Sequence, residues 1–285
     1  MRSPRRTRTI QLATLALCAA LPSAAWPQAA ATALSEAQTP LRLEMALRVA
    51  AAVAVQERGG LLTSAPQLAA RWRARERVYF ELHWGVALQT DVGVASPVFR
   101  AGNPWYLGAY HRTFATGAFA LGLGVAAPVA RVELGPEGRA QRSAFGHTLG
   151  AWGMWNAWLW SAGRMAITMQ TRALRDLGWA ELRAEGAVAA MPAVRRSEEG
   201  LAWVAQAAGE LCGLGGEAPP LCLHASAVVL PRSSLDKVQL AAGLRIEPLR
   251  DRRYFGLLLI NVDEPLGFGR GQRLWGLHIG RELGL

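Results

Sequence analysis

From residue 41 onward, apolar and polar residues alternate with a period of two. Leu41, Leu43, Met45, Leu47, Val49, Ala51, Val53 and Val55 occupy every odd position, and Arg42, Glu44, Arg48 and Gln56 fall between or beside them. Successive side chains of a strand point to opposite faces, so this pattern predicts a strand with one apolar and one polar face. An Ala-rich helix is the rival on local propensity, but alternation sustained over residues 41–55 favours the strand. The rule then repeats. Leu68, Ala70, Trp72 and Ala74 alternate with Gln67, Arg71, Arg73 and Arg75, and after a turn at Arg75–Arg77 the apolar set is Val78, Phe80, Leu82, Trp84, Val86 and Leu88. A helix would scatter Arg71, Arg73 and Arg75 around its circumference, whereas a strand places them on one face.

The same reading predicts strands over 105–112, 118–126, 145–155, 164–173, 179–188, 201–211, 221–229, 238–246, 254–262 and 274–285. Turn signals separate several of them, such as Pro128 and the run Gly135-Pro136-Glu137-Gly138. Within 118–126, Gly122 and Gly124 sit on the small-residue face opposite Phe119, Leu121, Leu123 and Val125. With the three segments above, the candidates number about thirteen. A closed antiparallel barrel of bacterial type needs an even number, so one segment is in excess. The expected fold is all-β: a single closed antiparallel transmembrane barrel of about twelve strands, with ten or fourteen open.

Residues 1–40 break the pattern. Arg2, Arg5, Arg6 and Arg8 precede an apolar run from Ile10 to Leu21, and small residues Ser23, Ala24 and Ala25 follow. This is the layout of a secretory signal peptide. The division expected is therefore signal peptide 1–25, lead-in 26–40 and barrel 41–285. Cleavage after Ala29 or Ala31, or an uncleaved amphipathic anchor, are the alternatives.

Export changes how charge and cysteine are read. Loss of the four leading arginines lowers the formal net charge from +10 to +6, so much of the basic excess is a targeting signal, and no nucleic-acid partner is expected. Of the 3 cysteines, Cys18 leaves with the signal peptide, and Cys212 and Cys222 flank the turn-rich run Gly213–Pro220. In an oxidising compartment these two are expected to pair. No second Cys or His pair stands at metal-ligand spacing, and no metal or cofactor is expected.

A soluble barrel and a membrane barrel share the period-two pattern with inside and outside exchanged. Here charge of both signs recurs on the polar faces: Arg42, Glu44, Arg48, Arg71, Arg73, Glu81, Arg164, Arg172, Glu181, Arg183, Glu185, Arg245 and Glu247. Facing a lumen, these residues would line it and pair across it. Trp72, Trp84, Trp105, Tyr106, Trp152, Trp155, Trp158, Trp160, Trp179, Trp203, Tyr254 and Trp275 gather near predicted strand ends, where interfacial aromatic girdles need them.

On these residues the chain resembles the bacterial outer-membrane β-barrel class over 41–285. The last strand adds to the resemblance: His278, Gly280, Leu283 and Leu285 stand at the spacing of the C-terminal assembly signal of that class, with Arg281 falling on the lipid face. The resemblance implies an outer-membrane location in a Gram-negative bacterium, surrounding lipid, and handling by the barrel-assembly machinery. It leaves the oligomeric state open.

The chemistry in the sequence is sparse. His224 and Ser226 share a strand face, as in some outer-membrane lipid deacylases, but no orienting carboxylate stands out in sequence. These two are the only weak catalytic candidates, and an enzyme is the lesser expectation. The expected function is a narrow, porin-like pore, or a structural barrel anchoring loops, with a charged Arg/Glu lumen. The alternatives are a lipid-modifying barrel hydrolase using His224 and Ser226, or a secreted soluble β-sandwich.

Overall fold

The computed structural model describes residues 43–56, 59–91, 98–131, 148, 152, 155–194, 201–213, 221–230, 237–247, 254–261 and 275–281. The expected signal peptide and lead-in lie outside these residues, as do Arg42, Leu283 and Leu285.

Thirteen strands are present among the described residues: β1 Leu43–Gln56, β2 Gly59–Arg75, β3 Val78–Asp91, β4 Val98–Ala101, β5 Trp105–Phe114, β6 Gly117–Ala126, β7 Ala166–Asp176, β8 Ala180–Pro192, β9 Leu201–Gly213, β10 Leu221–Leu230, β11 Lys237–Ile246, β12 Tyr254–Asn261 and β13 Trp275–Arg281. Each pairs antiparallel with its neighbours. β1 meets β13, and the pairing of β2 with β3 completes the ring.

The ring has twelve staves, because β4 and β5 share the same edge of β3. Ala101 pairs with Val86 and Trp105 with His83, so the register slips by one across Gly102–Pro104. That is a bulge: one extra residue on one strand, which re-aims the side chains around it. No helix among the described residues is long and apolar enough to cross a membrane.

Alternation sets which face is inside. On β6, Phe119, Leu121, Leu123 and Val125 are exposed, Leu123 at 67%, while Ala118, Ala120, Gly122, Gly124 and Ala126 are buried. On β11, Leu240, Leu244 and Ile246 are exposed, and Gln239, Ala241 and Arg245 are buried. Large apolar side chains therefore point out and small or charged ones point in. Such a continuous apolar exterior has no place in water. In hydrocarbon it is favourable, provided that every backbone group is bonded internally, and a closed barrel meets that condition. The soluble sandwich with polar faces outward is excluded by this arrangement.

Connections divide the barrel into two ends. Tight turns at 75–78, 114–117 and 176–180 lie at the end where β1 begins and β13 finishes, here called the turn end. The third turn is held by the Leu177 N–H donating to the Ala180 carbonyl at 2.8 Å and by Asp176 Oδ1 accepting from the Gly178 N–H at 2.7 Å, with Gly178 at φ +82°. The opposite, loop end carries the long connection from β6 to β7.

Two expectations need correction. The segment 145–155 is not a strand where it is described. The Trp152 N–H donates to the Thr148 carbonyl at 3.1 Å, a helical bond, and a 3-10 turn follows at Ala157–Leu159. The reason lies in the ladder: β6 and β7 pair directly from Gly117↔Arg175 to Ala126↔Ala166, which leaves no edge for an intervening strand. The aromatic girdle is also smaller than expected. Trp72, Trp84, Tyr106, Trp179, Trp203 and Trp275 are exposed, but Trp105, Trp152, Trp158 and Trp160 are buried, and Trp155 packs against the interior cluster.

Cys212 and Cys222 form a disulfide between directly opposed positions of β9 and β10. The backbone ladder already closes the ring without it. A Cys212→Ser variant is therefore expected to keep a compact band that shifts on boiling in detergent gels. Loss of the shift would show that the covalent link, and not the ladder, holds the barrel.

Candidate functional site in the barrel interior

Two layers of side chains occupy the interior, and they differ in chemistry. The first lies toward the turn end and is ionic. Glu81 on β3 is fully buried and accepts from Arg71 Nε on β2 at 2.8 Å and from Arg172 Nη1 on β7 at 2.9 Å. The His83 imidazole bridges Glu81 Oε2 at 2.8 Å and the Gln67 amide at 3.2 Å. β3 and β7 share no edge, so the Glu81–Arg172 contact runs across the interior. Arg172 also faces Glu185 at 3.6 Å, and Gln170 donates to the same carboxylate.

A second ionic group joins β8 to β11 in the same way. Arg183 pairs with Glu181 at 2.6 Å and with Glu247, which also takes Arg245 at 2.9 Å. Glu210 on β9 lies 3.7 Å from Arg183, 3.5 Å from Arg245 and 3.0 Å from His224. A buried ion is costly unless paired, and here Glu81, Glu210 and Glu247 each have several partners. Arg71 further stacks over Tyr79 at 4.4 Å, and Arg245 over Phe255 at 4.4 Å.

The second layer lies toward the loop end and is aromatic. Trp152 and residues 155–160, from the β6–β7 connection, lie inside the barrel and touch widely separated staves. The bulge aims Asn103 at them. Its Nδ2 donates to the carbonyls of Trp158 at 2.9 Å and Ser161 at 2.8 Å, its Oδ1 accepts from the Ala130 N–H at 2.7 Å, and its own N–H donates to the Leu159 carbonyl at 2.7 Å. From the far wall, Gln206 on β9 exchanges two bonds with Asn156, at 2.9 and 3.0 Å. Those bonds hold Asn156 at φ 53°, a left-handed conformation that Asn tolerates better than most residues.

The rings then pack. Trp158 meets Trp105 edge-on at 5.4 Å, Trp152 meets His278 of β13 at 4.9 Å, and Trp160 lies against Gly85 of β3 so closely that any Cβ there would collide with it. Trp105 is fixed in turn by Nε1 donating to Thr168 Oγ1 at 3.0 Å, in space left open by Gly124.

The remaining candidates fall as follows. Arg48 lies over the Phe255 ring at 5.7 Å, and Arg164 donates to the Met191 carbonyl at 2.9 Å. Glu44 and Arg73 join no ion pair among the described residues. In the C-terminal strand His278 is buried, and Gly280 is required by space, since a Cβ would stand 2.6 Å from the Leu47 carbonyl oxygen. Beside His224, the β9–β10 register supplies the carboxylate that sequence could not name: Glu210. That carboxylate also faces two arginines, and among the described residues no hydrogen bond joins His224 to Ser226. Among the described residues no group of His, Cys, Asp and Glu is arranged to hold a metal.

The residues that sequence reasoning missed are Asn103, Asn156, Gln206 and the buried tryptophans. A signal was present: Trp155-Asn156-Ala157-Trp158-Leu159-Trp160 has no period-two polar face.

Fold and interior together define a bacterial outer-membrane type of β-barrel with part of its own chain inside it. No family model and no curated protein matches the sequence. Among solved structures, the fold is similar to an outer-membrane channel from Pseudomonas putida F1, at TM-score 0.52 and 11% identity over 85% of this chain and 96% of that one. The translocator domain of an autotransporter from Neisseria meningitidis aligns at TM-score 0.41 and 12% identity over 97% and 98% of the two chains. At 11% identity the likeness to the Pseudomonas putida channel bears on the fold alone.

Replacing Glu81 by Gln leaves Arg71 and Arg172 buried without their shared carboxylate. Breaking such a pair costs about 3–5 kcal/mol. The variant is expected to lose the heat-resistant folded band at clearly lower temperature, while Glu44→Gln changes it by no more than ~0.5 kcal/mol. Equal effects of the two would show that the ionic layer contributes little.

Proposed function

We propose that the protein is a narrow outer-membrane channel of a Gram-negative bacterium, exported through a cleaved signal peptide and inserted by the barrel-assembly machinery through its C-terminal strand. The observation that carries this reading is the inward-folded segment 155–160, tied to Asn103 on one wall and to Gln206 on the other. A twelve-stranded barrel is wider than the roughly eight strands whose own side chains fill the interior. A segment laid across that space narrows the path and leaves water and small ions as the solutes that fit beside it. The ionic layer then sets the field along the path, with the arginines of the lumen favouring small anions.

A second reading, a structural barrel that anchors loops and conducts nothing, is favoured by one feature: Glu81, Glu210 and Glu247 are each engaged by two cations, which neutralises much of the turn end. A lipid hydrolase is less well supported, because His224 is oriented by Glu210 without an adjacent bonded serine.

Conductance in planar bilayers separates these readings. The wild-type channel is expected to pass a small ohmic current with anion preference. The Asn103→Ala/Gln206→Ala double variant, freed of the ties on both walls, is expected to pass several-fold more. Silence of both proteins in bilayers that contain folded barrel would replace the channel with the anchor.

A further inference from the structure

Arg71, Arg172, Arg183 and Arg245 of the interior are held by carboxylates, but another set is not. Arg73, Arg75, Arg77, Arg112 and Arg175 all lie at the turn end, on β2, the β2–β3 turn, β5 and β7, and none joins an ion pair among the described residues. Of the acidic groups beside them, Glu76 is exposed and Asp176 caps the Gly178 N–H.

Two of these arginines point outward, sideways from the wall. Arg112 has the parity of exposed Tyr106, Tyr110 and Phe114, and Arg175 that of exposed Ile167 and Met169. They flank β6. Arg112 stands opposite Phe119, and Phe114 and Arg175 both stand opposite Gly117. Two strand spacings and two residues of rise separate their Cα atoms, about 12 Å in all, within reach of two long side chains converging from either side. The His111 N–H donates to the Arg77 carbonyl at 2.8 Å, which sets the turn residue Arg77 beside Arg112.

The company these cations keep is aromatic. The Arg112 guanidinium lies over the Phe114 ring at 5.2 Å, Phe119 is exposed next to it in register, and Trp179, in the turn after Arg175, is 70% exposed. Exposed aromatic rings at the margin of an apolar band mark the membrane–water boundary. Cations at that depth, aimed sideways, face headgroups. A soluble acidic partner would approach along the barrel axis and would have no use for the outward pair. Guanidinium groups bind phosphate through paired, charge-assisted hydrogen bonds, and short turns of such barrels face the periplasm, where the adjoining leaflet is phospholipid.

We propose that Arg77, Arg112 and Arg175 form a binding site for the phosphate headgroup of an anionic glycerophospholipid, with Phe114 carrying the Arg112 guanidinium at the level of the phosphate and Phe119, farther from the turn, against the glycerol and upper acyl region. The site rests on the membrane-spanning reading given above, and it explains cations that the channel reading leaves without a role.

The test uses the full mature protein in bilayer nanodiscs of phosphatidylethanolamine containing a minor share of phosphatidylglycerol. Native mass spectrometry counts the lipids that remain bound after release. The wild-type protein is expected to retain phosphatidylglycerol above its bulk share. An Arg112→Gln/Arg175→Gln variant, still giving the heat-shifted folded band, is expected to lose that enrichment on the order of tenfold, and Arg112→Lys/Arg175→Lys to keep most of it. Equal retention by wild type and the Gln variant overturns the site. So does loss of binding to polyglutamate in the Gln variant without any change in lipid retention, which would assign the patch to an acidic protein. If the wild-type protein does not enter nanodiscs at all, the membrane reading fails and the headgroup site with it. Normal insertion with lipid retention indifferent to charge defeats the headgroup site alone.

Discussion

In hydrocarbon there is no water to satisfy a stray N–H or C=O, so a sheet can span a bilayer only by closing on itself. Every other feature of this protein follows from that closure. The ladder runs from β1 through β13 and back by way of β2 and β3. Once the ring is shut, the outward residues of each strand face lipid and the inward residues are confined together. The outer face is thereby reduced to a solvent requirement, met by leucine, valine, isoleucine and aromatic residues. The inner face becomes a packing and charge-balance problem that no single strand can solve.

The protein solves it in two ways at two depths. Toward the turn end, long ionic side chains reach over the interior and neutralise one another, so that Glu81 meets Arg172 and Arg183 meets Glu247 between strands that never touch. Toward the loop end many inward wall positions are alanine or glycine, and the chain sends its own segment inward, where Trp105 and Gln206 meet it. The bulge at Gly102–Pro104 links the two solutions: it breaks the stave into β4 and β5 and, by the extra residue, turns Asn103 toward the entering segment.

Sequence made the first of these legible and hid the second. Period-two alternation is a property of each strand alone, so the strands, their inward faces and the opposing cysteines could be read residue by residue. Ion-pair partners could be read only as a set, because Glu81 and Arg172 are joined by barrel curvature and not by spacing. The stretch 145–155, which leads into the entering segment, reads as a strand because its aromatic residues satisfy strand propensity, which reports a side chain's fit to a pleated surface and not where that surface is. The tryptophans inside the barrel were assigned to the girdle for the same reason. A Trp is equally at home at an interface or in a core, and only the ring contacts of Trp105, Trp158 and Trp160 decide between them.

The small residues of the inner wall gain meaning from this arrangement. Ala50, Ala65, Ala87, Ala109, Ala120 and Ala126 belong to one buried cluster with Trp105, Trp152, Trp158 and Trp160. Taken strand by strand, such positions look underfilled, since alanine buries little apolar area. Taken with the segment that enters, these positions and its rings belong to one buried cluster, so wall and segment are packed as a unit. Interiors pack to near-crystalline density, and added bulk has nowhere to go without displacing a neighbour. Gly85 is the limiting case, because a side chain there would take the space of the Trp160 ring. The inner wall and the entering segment are therefore complementary shapes. A change to either is a change in how far the barrel is filled, which is the property on which the proposed channel depends.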